Sequence, residues 1–366
     1  MTGPCPNPWV EALSPYTPGT APSPTDAATE KLSANESVFG PSPAAMAAYR
    51  AIADRLWCYP EGDPVALRRA IAHAHGLDPA RIMCGNGSDE LLALITQAYA
   101  GPDAEVVHCR HGFAMYPILA RAFGARSVAV ANRPDLSADV DALLAAVTDK
   151  TRIVFLDNPN NPTGTYLPHQ EVERLHRGLP EQVLLVLDAA YAESVDAADY
   201  DPGATLVQRH NNVVMTRTLS KLYGLAALRI GWLFGPPGVV DMLNRCRGPY
   251  NLNAAAAAAG AAAVADRDWL EDVRQQTVAA RQHLAAALAA LGLRVTPSQT
   301  NFVLVRLSSA EQAQAAQAHL AAHGVLVRHL PGQGLDDALR ITVGNAQQMH
   351  AVETLMAAFL TDGQAA

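Results

Sequence analysis

Thr218-Leu219-Ser220-Lys221 places a lysine after an apolar stretch and among hydroxyl groups. A lysine can attack an aldehyde only as a neutral amine, and burial lowers its pKa toward that state. Arg229 follows eight positions later, where the chain can return it to the same site. A guanidinium there can clamp a phosphate through two parallel hydrogen bonds. Upstream, the apolar run Leu185-Val186-Leu187 ends in Asp188-Ala189-Ala190-Tyr191. An acid at the carboxyl end of an apolar strand stands where α/β proteins bind their ligands. Such a carboxylate can pair with a pyridinium nitrogen, keep it protonated and make the ring an electron sink. Tyr191 can donate to a phenolic oxygen on the same ring. Taken singly, these residues also read as a surface lysine, an ion-paired arginine, a helix-capping aspartate and a core tyrosine.

Two further segments sit directly after apolar runs. Asn158-Pro159-Asn160-Asn161-Pro162-Thr163-Gly164 is a stiff turn in which a side-chain amide can face a ligand. Gly85-Asn86-Gly87-Ser88-Asp89-Glu90 joins a strand to a helix. Backbone N–H groups at a helix start, with glycines allowing close approach, form an anion site. The segment is neither GxxxxGK[ST] nor a complete GxGxxG, so it does not indicate a nucleotide, and a well-capped helix would look the same. His73-Ala74-His75 and His108-Cys109-Arg110-His111 lack the spacing of a metal site, and none is expected. Neither Cys58 nor Cys84 has a neighbouring base that would make it a nucleophile.

Positioning these residues requires alternating strands and helices. The runs Arg81–Cys84, Glu105–Cys109, Ser127–Ala131, Arg152–Asp157, Val183–Asp188, Val213–Arg217 and Ile230–Phe234 read as short buried strands. Helical patterns at Glu90–Ala100, Met115–Phe123 and Val140–Val147 separate several of them. That alternation predicts an α/β fold with a mostly parallel sheet covered on both faces. Residues 1–40 carry Pro4, Pro6, Pro8, Pro15, Pro18, Pro22 and Pro24, which argues for an arm without helix. After about residue 250 an Ala-rich stretch to Leu291 predicts a long helix broken near Asp266. Strands at Asn301–Arg306, Val325–His329 and Leu339–Val343, with helices from Glu311 and Gln347, complete a smaller α+β lobe. The expected division is an arm over 1–40, a large domain over 41–250 and a small domain over 251–366 with its linking helix.

A chain of 366 residues is long enough for two such bodies. Its formal net charge of −8 gives no electrostatic support to a nucleic-acid or anionic-membrane partner, so any bound anion needs a local site. The five cysteines are scattered and form no CxxC pair, which points to reduced thiols in a cytoplasm. No apolar run is long enough for a bilayer, and the first residues lack the pattern of a signal peptide.

The order of these motifs resembles the fold-type I, pyridoxal-phosphate (PLP)-dependent aminotransferases, and within them the histidinol-phosphate aminotransferase branch. The likeness runs from Leu13-Ser14-Pro15-Tyr16 through Leu32-Ser33-Ala34-Asn35-Glu36, Tyr59-Pro60, Asn161-Pro162-Thr163-Gly164 and Arg217-Thr218-Leu219-Ser220-Lys221 to Leu339-Arg340-Ile341-Thr342-Val343-Gly344. It implies that Lys221 carries the cofactor and then shuttles the proton, and that Asp188 pairs with the ring nitrogen. Asn161 and Tyr191 would contact the ring hydroxyl, and Tyr116 would stack on the ring. Ser88, Asp89, Thr218, Ser220 and Arg229 would hold the cofactor phosphate, with Tyr59 reaching it from the partner subunit of a homodimer. Arg340 would bind the substrate's anionic end, helped by Arg328, Tyr16 and Asn35. The implied reaction passes the amino group of L-histidinol phosphate to 2-oxoglutarate.

The chain departs from the family's Asp-Glu-Ala-Tyr at Ala189, and from its Asn-Glu-Asn-Pro at Ser37 and Val38. An aromatic amino-acid aminotransferase and a lyase such as a threonine-phosphate decarboxylase share the same lysine and aspartate. A PLP-binding regulator would carry a DNA-binding module, and no basic helix-turn-helix is visible. Resemblance of fold does not separate these activities.

Overall fold

Seven apolar runs assemble into one sheet in the computed structural model, which describes residues 3–11, 13 and 29–362. The strands lie in the order Ile82–Asn86, Ile230–Phe234, Val213–Thr218, Leu184–Asp188, Thr151–Asp157, Glu105–Cys109, Arg126–Val130. The last five run parallel; Ile230–Phe234 is antiparallel to both its neighbours. The expected runs all form strands, with bounds shifted by at most a few residues. Most positions of the central strands are buried, because helices cover both faces and leave no side for polar alternation.

The Ala-rich stretch is two helices, Ala254–Ala265 and Arg267–Ala290. Asp266 ends the first, and its side chain accepts from the Trp269 N–H at 3.4 Å to cap the second. Ala256, Ala259, Ala263 and Val264 of the first helix pack into the core of the large sheet. Leu284 and Leu288 of the second belong to a different core, shared with Leu32, Val303, Val305, Leu320 and Ile341. The residues after 250 therefore do not form one separate body, and Arg267–Ala290 bridges the two cores.

The second core covers a four-stranded antiparallel sheet, Arg328–Leu330, Leu335–Thr342, Phe302–Arg306 and Arg294–Thr296. The strand expected at Val325–His329 is divided. Val325–Leu326 pairs parallel with Glu30–Lys31, while Arg328–Leu330 pairs antiparallel with Leu335–Thr342. One continuous apolar stretch thus serves two sheets, which periodicity alone does not reveal. Among the described residues of the arm expected to be free of helix, Pro8–Glu11 forms one helical turn. Pro8 opens that turn, where its missing N–H would have had no helical partner. Among the described residues no helix is long and apolar enough to cross a membrane.

Candidate active site

The carboxyl ends of the parallel strands bring the chemical groups together. Asp157 stands opposite Asp188 on neighbouring strands, and Asp188 stands opposite Thr216. The chain continues from Thr218 at the end of the next strand to Ser220 and Lys221. One pocket is lined by Ser88, Asp89, Asp188, Tyr191, Thr218, Ser220, Lys221 and Arg229, together with Asn161, Asp157 and Phe113.

One wall is an anion cradle. The strand Ile82–Asn86 passes through Gly87 into the helix Ser88–Tyr99, whose first N–H groups have no partner within the helix. Gly87 has φ +82°, and a Cβ there would lie 2.5 Å from Arg229 Nη2. A Cβ on Gly231 would lie 2.2 Å from the Ser88 nitrogen. Gly231 lets the strand Ile230–Phe234 lie against the helix start, and Gly87, at positive φ, leaves room for the guanidinium of Arg229, which precedes that strand. Arg229 donates to Asp89 Oδ2 at 3.0 Å and to Ser220 Oγ at 3.2 Å. The Ser220 N–H donates to Thr218 Oγ1 at 3.1 Å. Helix-end N–H groups, two hydroxyls and a guanidinium around one space fit a phosphate.

Lys221 closes the pocket, its Nζ 5.5 Å from the centre of the Tyr191 ring. Burial, aided by the positive charges of Arg340 and Arg229, lowers its pKa to about 8. Asp188 is buried and accepts from Tyr116 Oη at 3.1 Å and from Thr216 Oγ1 at 3.2 Å. Burial pushes its carboxyl up to about 6, so a cationic partner is needed to keep it fully ionised. Burial also raises the Tyr191 phenol to about 12, so it remains a donor.

The turn expected at Asn158–Gly164 is anchored by a residue that sequence reasoning missed. Asp157 Oδ2 accepts from the Asn161 N–H at 2.9 Å and from Asn160 Nδ2 at 3.1 Å. Burial drives the Asp157 carboxyl up to about 8, against the pull of the Asn161 N–H. The signal was available: Asp157 ends an apolar strand just as Asp188 does. Asn161 Oδ1 accepts from Arg340 Nη1 at 2.5 Å, tying the turn to the antiparallel sheet of the second core.

Other expected positions are resolved differently. Tyr116 is fully buried, with its ring stacked on Phe155 at 4.5 Å, and it does not line the pocket. Phe113, three residues earlier and set edge-on to Tyr116, lines the pocket instead, together with Tyr191. Asn35 is buried behind the pocket, where its Nδ2 donates to Tyr191 Oη at 2.9 Å. It orients the phenol rather than lining the pocket. Tyr59 is 83% exposed, stacks on Tyr250 and lies outside the pocket. Arg328 stands directly across from Arg340 on the neighbouring strand. Tyr16 lies outside the described residues.

Two outcomes follow from these ionisations. The neutral-amine fraction of Lys221 sets its reactivity, so its capture of PLP should speed up to about pH 8 and then level off. Borohydride reduction followed by peptide mapping should find the label on Lys221, and a rate still climbing steeply at pH 10 would identify an ordinary lysine instead. Asp157 keeps its proton in the folded state up to about pH 8, whereas the unperturbed carboxyl titrates at 3.8. Between these values the native state binds more protons, so this group's contribution to stability falls as pH rises. In urea unfolding of cofactor-free protein, Asp157→Asn should therefore gain on the wild type between pH 4 and pH 8. The gain should be at least about 1.4 kcal/mol, one pKa unit's worth; a difference that does not change with pH would refute it.

The chain is similar to known proteins over most of its length. Residues 29–355 match the family described as aminotransferase class I and II. A histidinol-phosphate aminotransferase of Rhodospirillum centenum is 50% identical over 96% of this chain and 97% of its own length. One of Dinoroseobacter shibae is 51% identical over 98% and 99%. The crystal structure of a histidinol-phosphate aminotransferase from Sinorhizobium meliloti, in complex with pyridoxal-5'-phosphate, superposes with a TM-score of 0.89. It has 31% sequence identity and 97% of each chain covered. With a family match over most of its length and an anion cradle, a buried lysine and a buried acid in one pocket, this chain belongs to the class I and II aminotransferases, in their histidinol-phosphate aminotransferase branch.

Proposed function

We propose that this chain transfers the amino group of L-histidinol phosphate to 2-oxoglutarate, giving imidazole-acetol phosphate and glutamate in histidine biosynthesis. The observation that carries the substrate assignment is the pairing of Arg328 with Arg340. Residues directly opposite on antiparallel strands put their side chains on one face of the sheet. Arg340 also touches the pocket through Asn161. A carboxylate is satisfied by one bidentate arginine, whereas a phosphate has more oxygens to satisfy and gains from a second. The relatives' shared activity supports the same substrate.

Bound PLP would supply an aldehyde that takes and returns an amino group and a ring that accepts electrons. Ser88, Asp89, Thr218, Ser220 and Arg229 would hold its phosphate, and Phe113 would lie against its ring. Asp188 would hold a proton at the ring nitrogen, and in doing so would itself stay ionised despite its burial. Asn161 and Tyr191 would donate to the ring hydroxyl, with Asn35 orienting the phenol. Lys221 Nζ, neutral near pH 8, would take the proton from the substrate carbon bearing nitrogen and deliver it to the cofactor's former aldehyde carbon, on the other side of that nitrogen.

The same reading makes the protein a cytoplasmic homodimer. Tyr59 projects from a surface where Leu56 is 74% and Trp57 84% exposed, an apolar patch suited to a partner subunit. Across that contact, Tyr59 would reach the partner's cofactor phosphate.

Arg328→Gln should lower kcat/KM for histidinol phosphate by about 2–4 kcal/mol in transition-state binding while changing phenylalanine turnover far less. Arg340→Gln should impair both. A wild-type kcat/KM higher for phenylalanine than for histidinol phosphate would replace this substrate with an aromatic amino acid, and carbon dioxide release without glutamate would indicate a lyase. Subunits carrying Lys221→Ala and subunits carrying Tyr59→Phe should regain activity when mixed into heterodimers; verified heterodimers without any recovery would exclude a shared site.

A further inference from the structure

A buried ion pair lies beneath the pocket and lines no part of it. Arg217 Nη2 donates to Glu193 Oε1 at 2.6 Å, and both side chains are less than a tenth exposed. Arg217 immediately precedes Thr218 on the strand that leads to Lys221. Glu193 lies two residues after Tyr191, in the short turn Ala192–Ser194. Side chains alternate along a strand, so Arg217 faces away from the side used by Thr216 and Thr218. Its guanidinium rests over the ring of Trp232, its antiparallel partner, at 5.4 Å. The charges of both partners also reach Tyr200, whose hydroxyl donates to the Asn158 carbonyl at 2.7 Å, at the head of the Asn158–Gly164 turn. The pair thus sits under the segments that present Tyr191, Lys221 and Asn161.

Stability does not account for it. A buried ion pair is often no more stabilising than apolar residues of the same volume, because both charges lose their water. Here Glu193 Oε2 and Arg217 Nε meet no protein hydrogen-bond partner among the described residues, so the pair is incompletely satisfied. What an ionic contact adds is direction: a guanidinium nitrogen and a carboxylate oxygen hold a fixed separation that apolar packing does not enforce. The residues after Glu193 are tethered elsewhere. Arg281 donates to the Ser194 carbonyl and to Asp196, both at 2.8 Å, from the bridging helix. The Glu193–Arg217 contact joins the residues after Tyr191 to the strand of Lys221, while the Ala189 N–H, donating to the Thr216 carbonyl at 2.9 Å, joins the residues before it.

We propose that Glu193 and Arg217 are a positioning pair that sets Tyr191 relative to Lys221. The inference rests on the roles given above to those two residues. Neither member of the pair touches substrate or cofactor; they act through the backbone on either side of the pocket.

The test compares holoenzymes carrying Glu193→Gln, Arg217→Gln, both together, and Arg217→Lys, which keeps the charge but loses the planar fork. Melting temperature, PLP affinity by fluorescence titration, kcat and KM, and the pH titration of the bound cofactor's visible absorption are measured for each. Rates refer to the folded fraction, counted by cofactor fixed with borohydride. The expected result is a kcat reduced about tenfold or more with KM changed less than about threefold. The midpoint of the absorption titration should shift, and the double variant should be no worse than the single ones. Should the Gln variants fail to fold, Arg217→Lys is expected to show the same loss of kcat and the same spectroscopic shift. Variants that melt earlier but keep wild-type kcat and an unshifted titration would overturn the proposal and leave the pair a purely structural one. Rates are scored on whichever amino donor the wild type uses, so a different donor would correct the substrate without touching this inference. A wild type that binds no PLP would overturn both.

Discussion

Loss of water at the carboxyl ends of the central strands governs the chemistry of this protein. Burial disfavours whichever form of a group is charged. The same cause therefore lowers Lys221 to about 8 and raises Asp188 to about 6 and Asp157 to about 8. A nucleophilic amine and an acid that seeks a cationic partner arise together, without any specialised device. The helices that exclude water from both faces of the sheet thus also set the reactivity at its edge.

Close backbone approach is the second requirement. The anion cradle exists because Gly231 lets a strand and a helix start come within a distance that a side chain there would prevent, and Gly87 leaves room for the Arg229 guanidinium. Arg229 then lies over the helix end, in contact with Asp89 and Ser220, without needing a long reach. The partial positive charge of the helix start and the guanidinium both face the position where a phosphate would sit. Chain geometry supplies as much of this site as side-chain chemistry does.

Several polar contacts join the two cores, and some of them reach the residues around the pocket. Arg340 reaches Asn161 and the Ser33 carbonyl, while Arg281 reaches Ser194 and Asp196. Asn35, whose backbone N–H donates to Thr342 Oγ1, orients Tyr191 through its amide. A change in the placement of the small sheet would therefore be felt directly at the phenol and at the turn beside the cofactor site. Side chains that join lobes here also orient reactive groups, a coupling that apolar packing alone would not provide.

Much of this was legible in the linear chain. Apolar runs ending in Asp188 and leading to Lys221 announce buried strands with ligand groups at their ends, because strand burial and ligand position are both local consequences of the α/β arrangement. The break at Asp266 was legible too, since a capping aspartate acts on its own neighbours. What escaped depends on contacts between distant segments. Periodicity did not tell Phe113 from Tyr116, because both follow the same strand and only packing against Phe155 turns one ring inward. Nor did it show that Val325–Leu326 and Arg328–Leu330 join different sheets, or that Asp157 holds the turn beneath Asn161. Strands, caps and candidate acids follow from neighbours along the chain, so the sequence by itself determined them. Which ring faces the pocket, which arginine spans the lobes and which carboxylates share the dry end of the sheet are settled by through-space contacts and desolvation, and only the tertiary structure decided those.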